Sequence, residues 1–328
     1  MKILVTGSSG HLGEALIRLL EKRGIGYVGV DIKKSGFTTK VGSITNRDFV
    51  KECMNGITDI IHSATLHKPH IATHSHQDFI DTNITGTLNL LEEANLQGIN
   101  SFIYTSTTST FGDILTPPKN EPSIWVTEDL KPIPKNIYGV TKVAAEDLCY
   151  LFYRNYKLPC LILKTSRFFP EEDDKKINRE LYPDDNLKIN EYLYRRVDIE
   201  DAAIAHLLAV EKASEIGFGK YIISATTPFS KEDLTELRNN ASNVVERLFP
   251  EYKEIYKLKN WKMVTEIDRV YVNKKALNEL GWEPKYDFKY MLESIKQRRD
   301  FRSNLSKEVG SKGYHDVDFQ EGPYPVRE

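Results

Sequence analysis

The chain has 328 residues, a formal net charge of -2, and 40% hydrophobic and 28% charged residues, the composition of an ordinary globular protein able to bury a sizeable core. This balanced charge argues against a dedicated nucleic-acid binder, which needs a basic face. No apolar run approaches the roughly 18 residues of a membrane-spanning helix, so we expect no membrane partner.

Strand and helix patterns alternate through the first half of the chain. Strands are predicted at 2–5, 27–30, 39–41, 59–62, 102–105 and 161–164. Helices are predicted at 12–23, 47–54, 77–95 and 136–156. This alternation predicts an α/β fold, a Rossmann-type doubly wound parallel sheet covered by helices on both faces.

The second half of the chain has a less regular pattern. The segment 116–134 carries five prolines and is predicted to be a long loop over the sheet edge. The charged run 171–176 is predicted to be a solvated loop, and the polar stretch 303–328 either a docked tail or disordered. The remaining predicted elements are a helix at 199–210, a strand at 220–224 and short helices at 231–237, 274–280 and 288–297.

Three glycines, Gly7, Gly10 and Gly13, lie between the first strand and the first helix. In such a turn one glycine permits tight bending, another lets the backbone approach a pyrophosphate, and the third lets helix and strand pack closely. The helix N-terminus then offers N–H groups and the positive end of its dipole to the anion. Because the turn follows a strand and precedes a helix, it predicts a dinucleotide site.

Asp31 ends the second predicted strand. A carboxylate at this position can accept hydrogen bonds from the ribose hydroxyls of NAD and would repel the 2′-phosphate of NADP. Lys33 and Lys34 follow closely and would partly neutralise it. We therefore predict NAD as the cofactor, with NADP as the less favoured alternative.

Tyr138 and Lys142 form a Y-x-x-x-K pair, whose members share one face of a helix. A lysine is positive at neutral pH, and a nearby ammonium lowers the pKa of a tyrosine. The pair therefore predicts a tyrosine that acts as a general acid or base.

Six consecutive hydroxyl residues, 105–110, continue the strand predicted at 102–105. They emerge at the carboxyl edge of the predicted sheet, where open α/β folds bind their ligands. We expect one of these hydroxyls to hold the substrate oxygen while Tyr138 exchanges its proton.

Together and in order, these motifs resemble the extended short-chain dehydrogenases/reductases, the NAD-dependent epimerase/dehydratase group. The matching segments are 6–13, Asp31, 61–64, 83–91, 104–112, 138–142, 167–169, 196–202, 268–271 and 279–282. The resemblance covers nearly the whole chain up to about Tyr290. It implies an NAD-binding domain made of 1–166 and about 197–225, a small interleaved substrate domain made of about 167–196 and 226–300, and a C-terminal tail at 301–328.

The resemblance also implies roles for single residues. Tyr138 takes the position of the catalytic acid/base, Thr107 that of the catalytic Ser/Thr, and Lys142 that of a catalytic residue which also binds the nicotinamide ribose. The implied cofactor contacts are Gly7, Ser9, Gly10, His11, Leu12, Gly13, Asp31, Ser43, Ile44, Ala64, Asn83, Thr105, Tyr138, Lys142 and Phe168. The implied substrate contacts are Thr65, His67, Thr107, Thr108, Phe169 and Arg196.

Other features fit this interpretation without adding a motif. Three cysteines lack metal-site spacing and suit a reducing compartment, so we expect a cytoplasmic protein without a metal site. Arg167, Arg195 and Arg196 are candidates to clamp an anionic substrate group, with surface salt bridging as the alternative. Relatives pair the helices that correspond to 77–95 and 136–156 into a dimer interface, so a homodimer is expected.

The sequence thus predicts an enzyme that oxidises a hydroxyl carbon of a small, sugar-like substrate, a sugar or nucleotide sugar, by hydride transfer to NAD. Two alternatives stay open. One is an NAD(P)-dependent dehydrogenase or reductase of a smaller hydroxy or keto substrate with net turnover of the cofactor, favoured by Pro170 and the short span between it and Val197. The other is a non-catalytic dinucleotide-binding protein on the same fold.

Overall fold

The computed structural model describes residues 1–313 and Phe319. Its strands are β1 (Lys2–Thr6), β2 (Gly26–Asp31), β3 (Lys40–Val41), β4 (Asp59–His62), β5 (Ser101–Thr107), β6 (Ile124–Val126), β7 (Cys160–Thr165), β8 (Phe218–Ile223) and β9 (Arg269–Tyr271). Seven of them form one sheet in the order β3-β2-β1-β4-β5-β7-β8, and all of its neighbouring strands are parallel. The predicted doubly wound parallel sheet is confirmed.

Helices connect these strands. They are α1 (His11–Lys22), α2 (Arg47–Cys53), α3 (His76–Phe79), α4 (Gly86–Leu96), α5 (Ile137–Tyr156), α6 (Lys176–Leu181), α7 (Asp184–Glu191), α8 (Ile199–Ile216), α9 (Leu234–Leu248), α10 (Tyr252–Lys259), α11 (Lys274–Leu280), α12 (Phe288–Lys296) and α13 (Asn304–Val309). A π-helical stretch, Ile80–Thr85, joins α3 to α4, so the helix predicted at 77–95 is one continuous helix with a widened turn. None of the described helices is both long and apolar enough to cross a bilayer.

The sheet is covered on both faces because successive strand residues point to opposite sides. In β1, Ile3 and Val5 pack into a core with α1 and α8, whereas Leu4 packs into a second core with α2, α4 and α5. The same alternation separates Ile103 from Phe102 in β5. Strands buried on both faces are the reason why the predicted strands are nearly continuous apolar runs.

A third core lies among the later helices and gathers residues from α7, α9, α10 and α12. Tyr192 and Tyr194 are buried in it, so these two side chains pack in a core. The short helix predicted at 231–237 is wrong at its end, because α9 continues to Leu248 across a break at Asn240. No pattern in the sequence predicted α6, α7 and α10, whose short lengths leave their stability to tertiary packing.

The proline-rich loop and the charged run differ from their predictions. Within 116–134, β6 pairs with β9 in a separate two-stranded parallel sheet. The charged run 171–176 is solvated only in part: Glu172, Lys175 and Lys176 are exposed, whereas Asp173 is buried and its carboxylate lies 2.7 Å from the Arg167 guanidinium. Part of a charged run can therefore be internal where its partners lie elsewhere in the chain.

The start of the predicted tail is docked rather than disordered. α13 packs against α1 and α8, and Leu305 and Val309 join the core between them. The chain then follows α1 as far as Gly313, with an ion pair between Lys312 and Glu14. Residues 314–318 and 320–328 of the predicted tail lie outside the described residues.

Candidate active site

A cavity of about 1180 Å³ opens at the carboxyl edge of the seven-stranded sheet. Its walls include Gly7 after β1, Asp31 at the end of β2, Ser63 after β4, Thr107 at the end of β5 and Ser166 after β7. Pockets for single drug-sized ligands run from about 300 to 1,000 Å³. This cavity therefore has room for a dinucleotide together with a second molecule.

The glycine turn forms one wall of the cavity and has no room for side chains. Gly7 has φ 74°, and a Cβ on it would stand 2.8 Å from the backbone nitrogen of Ala64. A Cβ on Gly13 would stand 1.9 Å from the carbonyl oxygen of Gly7. The turn delivers the N-terminus of α1 to the cavity with no side-chain cap, which leaves its first N–H groups for an anion. This cradle fits a dinucleotide pyrophosphate.

Asp31 lies beside the turn and is tied to it. Its Oδ2 accepts a hydrogen bond of 3.0 Å from the backbone N–H of Ser9, and its Oδ1 accepts one of 2.9 Å from that of Lys33. Each carboxylate oxygen can accept more than one hydrogen bond, so both keep capacity for ribose hydroxyls. The orientation suits the role of ribose acceptor that the sequence predicts.

Replacing Asp31 by asparagine tests that role. Loss of the negative charge should weaken NAD binding by about tenfold, because hydrogen bonds to a charged acceptor are the stronger ones. It should also narrow the gap between NAD and NADP affinity, since the repulsion of a 2′-phosphate is removed. Titration of both dinucleotides by calorimetry checks this, and unchanged affinities for both would remove Asp31 from the site.

Helix α5 carries the candidate catalytic pair on its buried face. The helix begins after Asn136, whose side chain accepts the N–H of Gly139, and this cap fixes the first turn. Lys142 lies one turn later; its Nζ donates a hydrogen bond of 2.7 Å to the carbonyl of Thr105 and lies 4.1 Å from the Tyr104 ring centre. Backbone and ring thus hold the ammonium at the cavity floor.

Tyr138 is buried, and the nearby Thr107 hydroxyl lowers its pKa. The Oγ1 of Thr107 accepts the backbone N–H of Ser109, so its own O–H remains to donate to the tyrosine. Thr107 and Tyr138 therefore face the cavity together, as the resemblance implies.

The prediction that Lys142 lowers the pKa of Tyr138 is wrong for the protein without a bound cofactor. Burial raises the pKa of Tyr138 to about 12, against the hydrogen bond from Thr107, which lowers it. Burial lowers the pKa of Lys142 to about 7, against the attraction of Glu146, which raises it. Desolvation is the largest cause of both shifts, because each group loses water on burial. Each group is thus shifted toward its neutral form.

The structure also sorts the run of six hydroxyl residues. Thr105 faces inward to His206, Ser106 to Glu146 and Thr110 to Lys164. The Nδ1 of His206 lies 2.7 Å from the carbonyl of Ala202 and must donate to it, so the Nε2 accepts from Thr105. The side chains of these three hydroxyl residues therefore anchor β5 and the turn after it, whereas Thr107, Thr108 and Ser109 lie on the cavity wall.

Comparison with known proteins decides the family. Residues 3–223 match the NAD dependent epimerase/dehydratase family. The chain belongs to this family. Its membership confirms the resemblance read from the motifs, and the family's NAD dependence agrees with the predicted cofactor.

Individual relatives are more distant. The chain is 29% identical over 188 residues to an uncharacterized UDP-glucose epimerase of Bacillus subtilis, covering 52% of this chain and 56% of that protein. It is 29% identical over 206 residues to a dTDP-glucose 4,6-dehydratase of Escherichia coli, covering 52% and 57%. The chain spans 36% to 57% of the length of the first curated relatives it matches.

Solved structures share the fold. A short-chain dehydrogenase/reductase superfamily protein of Agrobacterium tumefaciens with bound NAD superimposes with a TM-score of 0.65 at 20% identity, covering 94% of this chain and 99% of that one. At this level of identity the likeness concerns the fold alone.

Most residues with implied roles in this family member lie on the cavity wall. Besides the wall residues already described, these are Ser9, Gly10, His11, Leu12, Ser43, Ile44, Ala64, Thr65, His67, Thr108, Phe168 and Phe169. His67 stacks on Phe169, with ring centres 5.5 Å apart and planes 21° apart. Their contacts with cofactor and substrate stay predictions.

Asn83 does not contact the cavity, which corrects its assignment as a cofactor contact. Its Nδ2 donates to the carbonyl of Leu66 and to Thr141, and its Oδ1 accepts from Thr65 and from the N–H of Leu66. All four positions of the amide are thus used inside the protein. Asn83 supports the wall from behind, where it ties the segment after β4 to α5.

Arg196 is also misplaced as a substrate contact. It is buried, pairs with Glu191 at 2.8 Å and donates to the carbonyl of Phe169. Arg167 and Arg195 do line the cavity, but both lie near the same Glu191 carboxylate, at 3.7 and 2.7 Å. The predicted anion clamp is therefore largely neutralised by the protein's own acids.

Two residues on the cavity wall had no sequence signal. Lys312 and Gly313 line the cavity, and their N–H groups both donate to the Glu171 carboxylate, which also pairs with His11 at the start of α1. Lys312 is 141 positions from Glu171 and 301 positions from His11 in the chain, so only the fold brings these residues together.

Proposed function

We propose that this family member oxidises a hydroxyl-bearing carbon of a sugar or nucleotide sugar with NAD and returns the hydride to the same substrate, as an epimerase does. The observation that carries the proposal is that Thr107, Tyr138 and Lys142 line one dinucleotide-sized cavity, with Lys142 one helical turn after Tyr138. Neither the glycine turn nor the Y-x-x-x-K pair alone supports this chemistry.

The residues would divide the work. The glycine turn would hold the pyrophosphate, Asp31 the adenosine ribose and Lys142 the nicotinamide ribose. When bound, NAD⁺ supplies the hydride acceptor and a positive ring, which favours the phenolate form of a nearby tyrosine. Tyr138 would then take the proton of the substrate hydroxyl while Thr107 holds the same oxygen.

The residues that follow Thr107 favour epimerisation over dehydration. A dehydratase must also protonate a leaving hydroxide, which requires a general acid beside the substrate. Thr108 and Ser109, which follow Thr107, offer only hydroxyls. Of the carboxylates that line the cavity among the described residues, Asp31 is tied to the glycine turn and Asp174 is paired with Lys68. The other two are also engaged: Asp78 accepts from the backbone and hydroxyl of Ser75, and Glu172 lies 3.9 Å from Arg179.

A second candidate is a dehydrogenase or reductase of a smaller hydroxy or keto compound. The arginines of the cavity favour this candidate. Because Arg167 and Arg195 already pair with Glu191, they would bind the diphosphate of a nucleotide sugar less strongly.

Proton NMR of reaction mixtures separates the candidates. The protein would be incubated with UDP-glucose, UDP-N-acetylglucosamine or dTDP-glucose and a trace of NAD. Appearance of the epimer without accumulation of NADH supports the proposal. NADH formed in proportion to an oxidised product, with free sugars or hydroxy acids, supports the second candidate. Binding of NAD without any turnover would favour a non-catalytic protein.

We also propose that the protein is a homodimer through α4 and α5, which pack side by side. Val140 and Tyr150 leave apolar surface on α5 and are 49% and 47% exposed. Tyr150→Glu should convert dimers to monomers, because a charge would be buried at the interface. Light scattering measures the mass, with Leu258→Glu on the exposed face of α10 as the control. A monomeric parent protein would contradict the expectation.

A further inference from the structure

A buried ionic cluster lies directly behind the candidate catalytic pair. It consists of Ser106, Glu146, Lys164 and Lys220, and we call it the carboxylate cluster. Glu146 is fully buried and Lys164 is 1% exposed, whereas the side chain of Lys220 is 28% exposed. Charged side chains are rarely buried so deeply unless the fold pairs them.

Glu146 is the centre of the cluster. Its Oε1 accepts hydrogen bonds of 2.5 Å from Ser106 and 2.6 Å from Lys164, and its Oε2 accepts one of 3.0 Å from Lys220. The three donors lie on the neighbouring strands β5, β7 and β8, and Ser106 is directly opposite Lys164 in the sheet. One carboxylate on α5 thus joins the helix to three strands.

The position of Ser106 connects the cluster to the chemistry. It lies between Thr105, whose carbonyl accepts Lys142, and Thr107, whose hydroxyl meets Tyr138. Glu146 follows Lys142 by one helical turn and so shares its face of α5. The carboxylate therefore fixes the strand at the residue between the two that contact the catalytic pair.

We propose that Glu146 is a positioning residue for the reaction: it holds the end of β5 against α5 and supplies a negative charge that favours the protonated form of Lys142. This inference rests on the proposed function, because it assigns Lys142 its role there. Glu146 itself does not line the cavity and touches neither ligand.

The groups around Lys142 determine how its charge should respond. Glu146 raises its pKa and Lys164 lowers it, so the two partners of one ion pair act in opposite directions. The titratable or charged groups that face Lys142 are Tyr138, Glu146 and Cys149 on α5, Tyr104 on β5, His62 on β4 and Lys164 on β7. Removing the charge of Glu146 should therefore lower the pKa of Lys142, and removing that of Lys164 should raise it.

Competitive acetylation measures the effect without a substrate. The full chain, free of NAD, is treated with acetic anhydride across a pH series, and the rate at Lys142 is read by mass spectrometry of its peptide. Only the neutral amine reacts, so the midpoint reports the pKa of Lys142. Glu146→Gln should lower this midpoint and Lys164→Met should raise it, each by about one pH unit, since charges within a few ångströms shift a pKa by that order.

Ser106→Ala is the matched control, because it removes a hydrogen bond to the same carboxylate and no charge; its midpoint should not move. Lys220→Met, at the partly exposed partner, should shift the midpoint in the same direction as Lys164→Met. If Glu146→Gln fails to fold by circular dichroism, the two lysine variants decide by comparison with Ser106→Ala. An upward shift in Lys164→Met that is absent from Ser106→Ala supports the proposal, and unchanged midpoints, or equal upward shifts in all these variants, overturn it.

Upward shifts in both Glu146→Gln and Lys164→Met would also overturn the proposal, because loosened packing rehydrates the amine whichever partner is lost. A separate measurement tests the proposed function. A chain that binds no NAD would refute that function, whereas the acetylation midpoints would be unaffected, since they are measured without the cofactor.

Discussion

Tyr138→Phe should lower the turnover of the substrate found by product screening by roughly 10²–10⁴-fold, the usual contribution of a positioned general acid or base. The phenol of Tyr138 lies on the cavity wall, where the Thr107 hydroxyl acts on it and lowers its pKa. Phenylalanine keeps the ring and its packing on α5 while it removes the exchangeable proton. NAD affinity should change little, because the glycine turn and Asp31 are untouched.

Tyr150→Phe is the matched control on the same helix. Tyr150 is 47% exposed and lies away from the cavity, so removal of its hydroxyl should leave the rate unchanged. A Tyr138→Phe protein that retained its activity would refute the proposed mechanism. A loss of rate accompanied by a loss of NAD binding would instead point to a binding role for Tyr138.

Gly13→Ala should abolish NAD binding. The added Cβ would stand 1.9 Å from the carbonyl oxygen of Gly7 and 2.8 Å from the Cα of Ser8, and both atoms belong to the turn itself. Backbone cannot rotate away as a side chain can, so either α1 moves off β1 or the turn opens. Overpacking of this kind lowers the free energy of unfolding by about 1–3 kcal/mol. Thermal unfolding and NAD titration measure the two effects.

Gly36→Ala provides the comparison. A Cβ at Gly36 would meet nothing within 4 Å, and its backbone is outside the left-handed region. This variant should keep both stability and NAD affinity. If Gly13→Ala behaved like Gly36→Ala, the close approach of α1 to the turn would not be required for the site.

The parts of the site that the sequence predicted are those built from local spacing. The glycine turn and the Y-x-x-x-K pair are set by neighbours within one turn or one helix, so their geometry follows from residue type and position. The βαβ alternation likewise predicted the sheet, because buried parallel strands and amphipathic helices leave distinct periodicities.

What the sequence did not predict depends on partners far apart in the chain. The Ser106 side chain points inward because it donates to Glu146 on α5, which also pairs with Lys164 on β7. No local pattern in the sequence marks either partner. Burial, which sets the pKa directions of Tyr138 and Lys142, is also a property of the whole fold. For the same reason Asn83 and Arg196, chosen by motif position, proved to be internal.

The most direct measurement is the NAD content of freshly purified protein, read from near-ultraviolet absorbance and enzymatic assay after denaturation and extraction, followed by titration of any empty protein with NAD. The account predicts that NAD(H) is retained, as expected for an enzyme that returns its hydride to the substrate, or at the least that empty protein binds added NAD. Protein that carries no dinucleotide and binds neither NAD nor NADP would contradict the account at its centre.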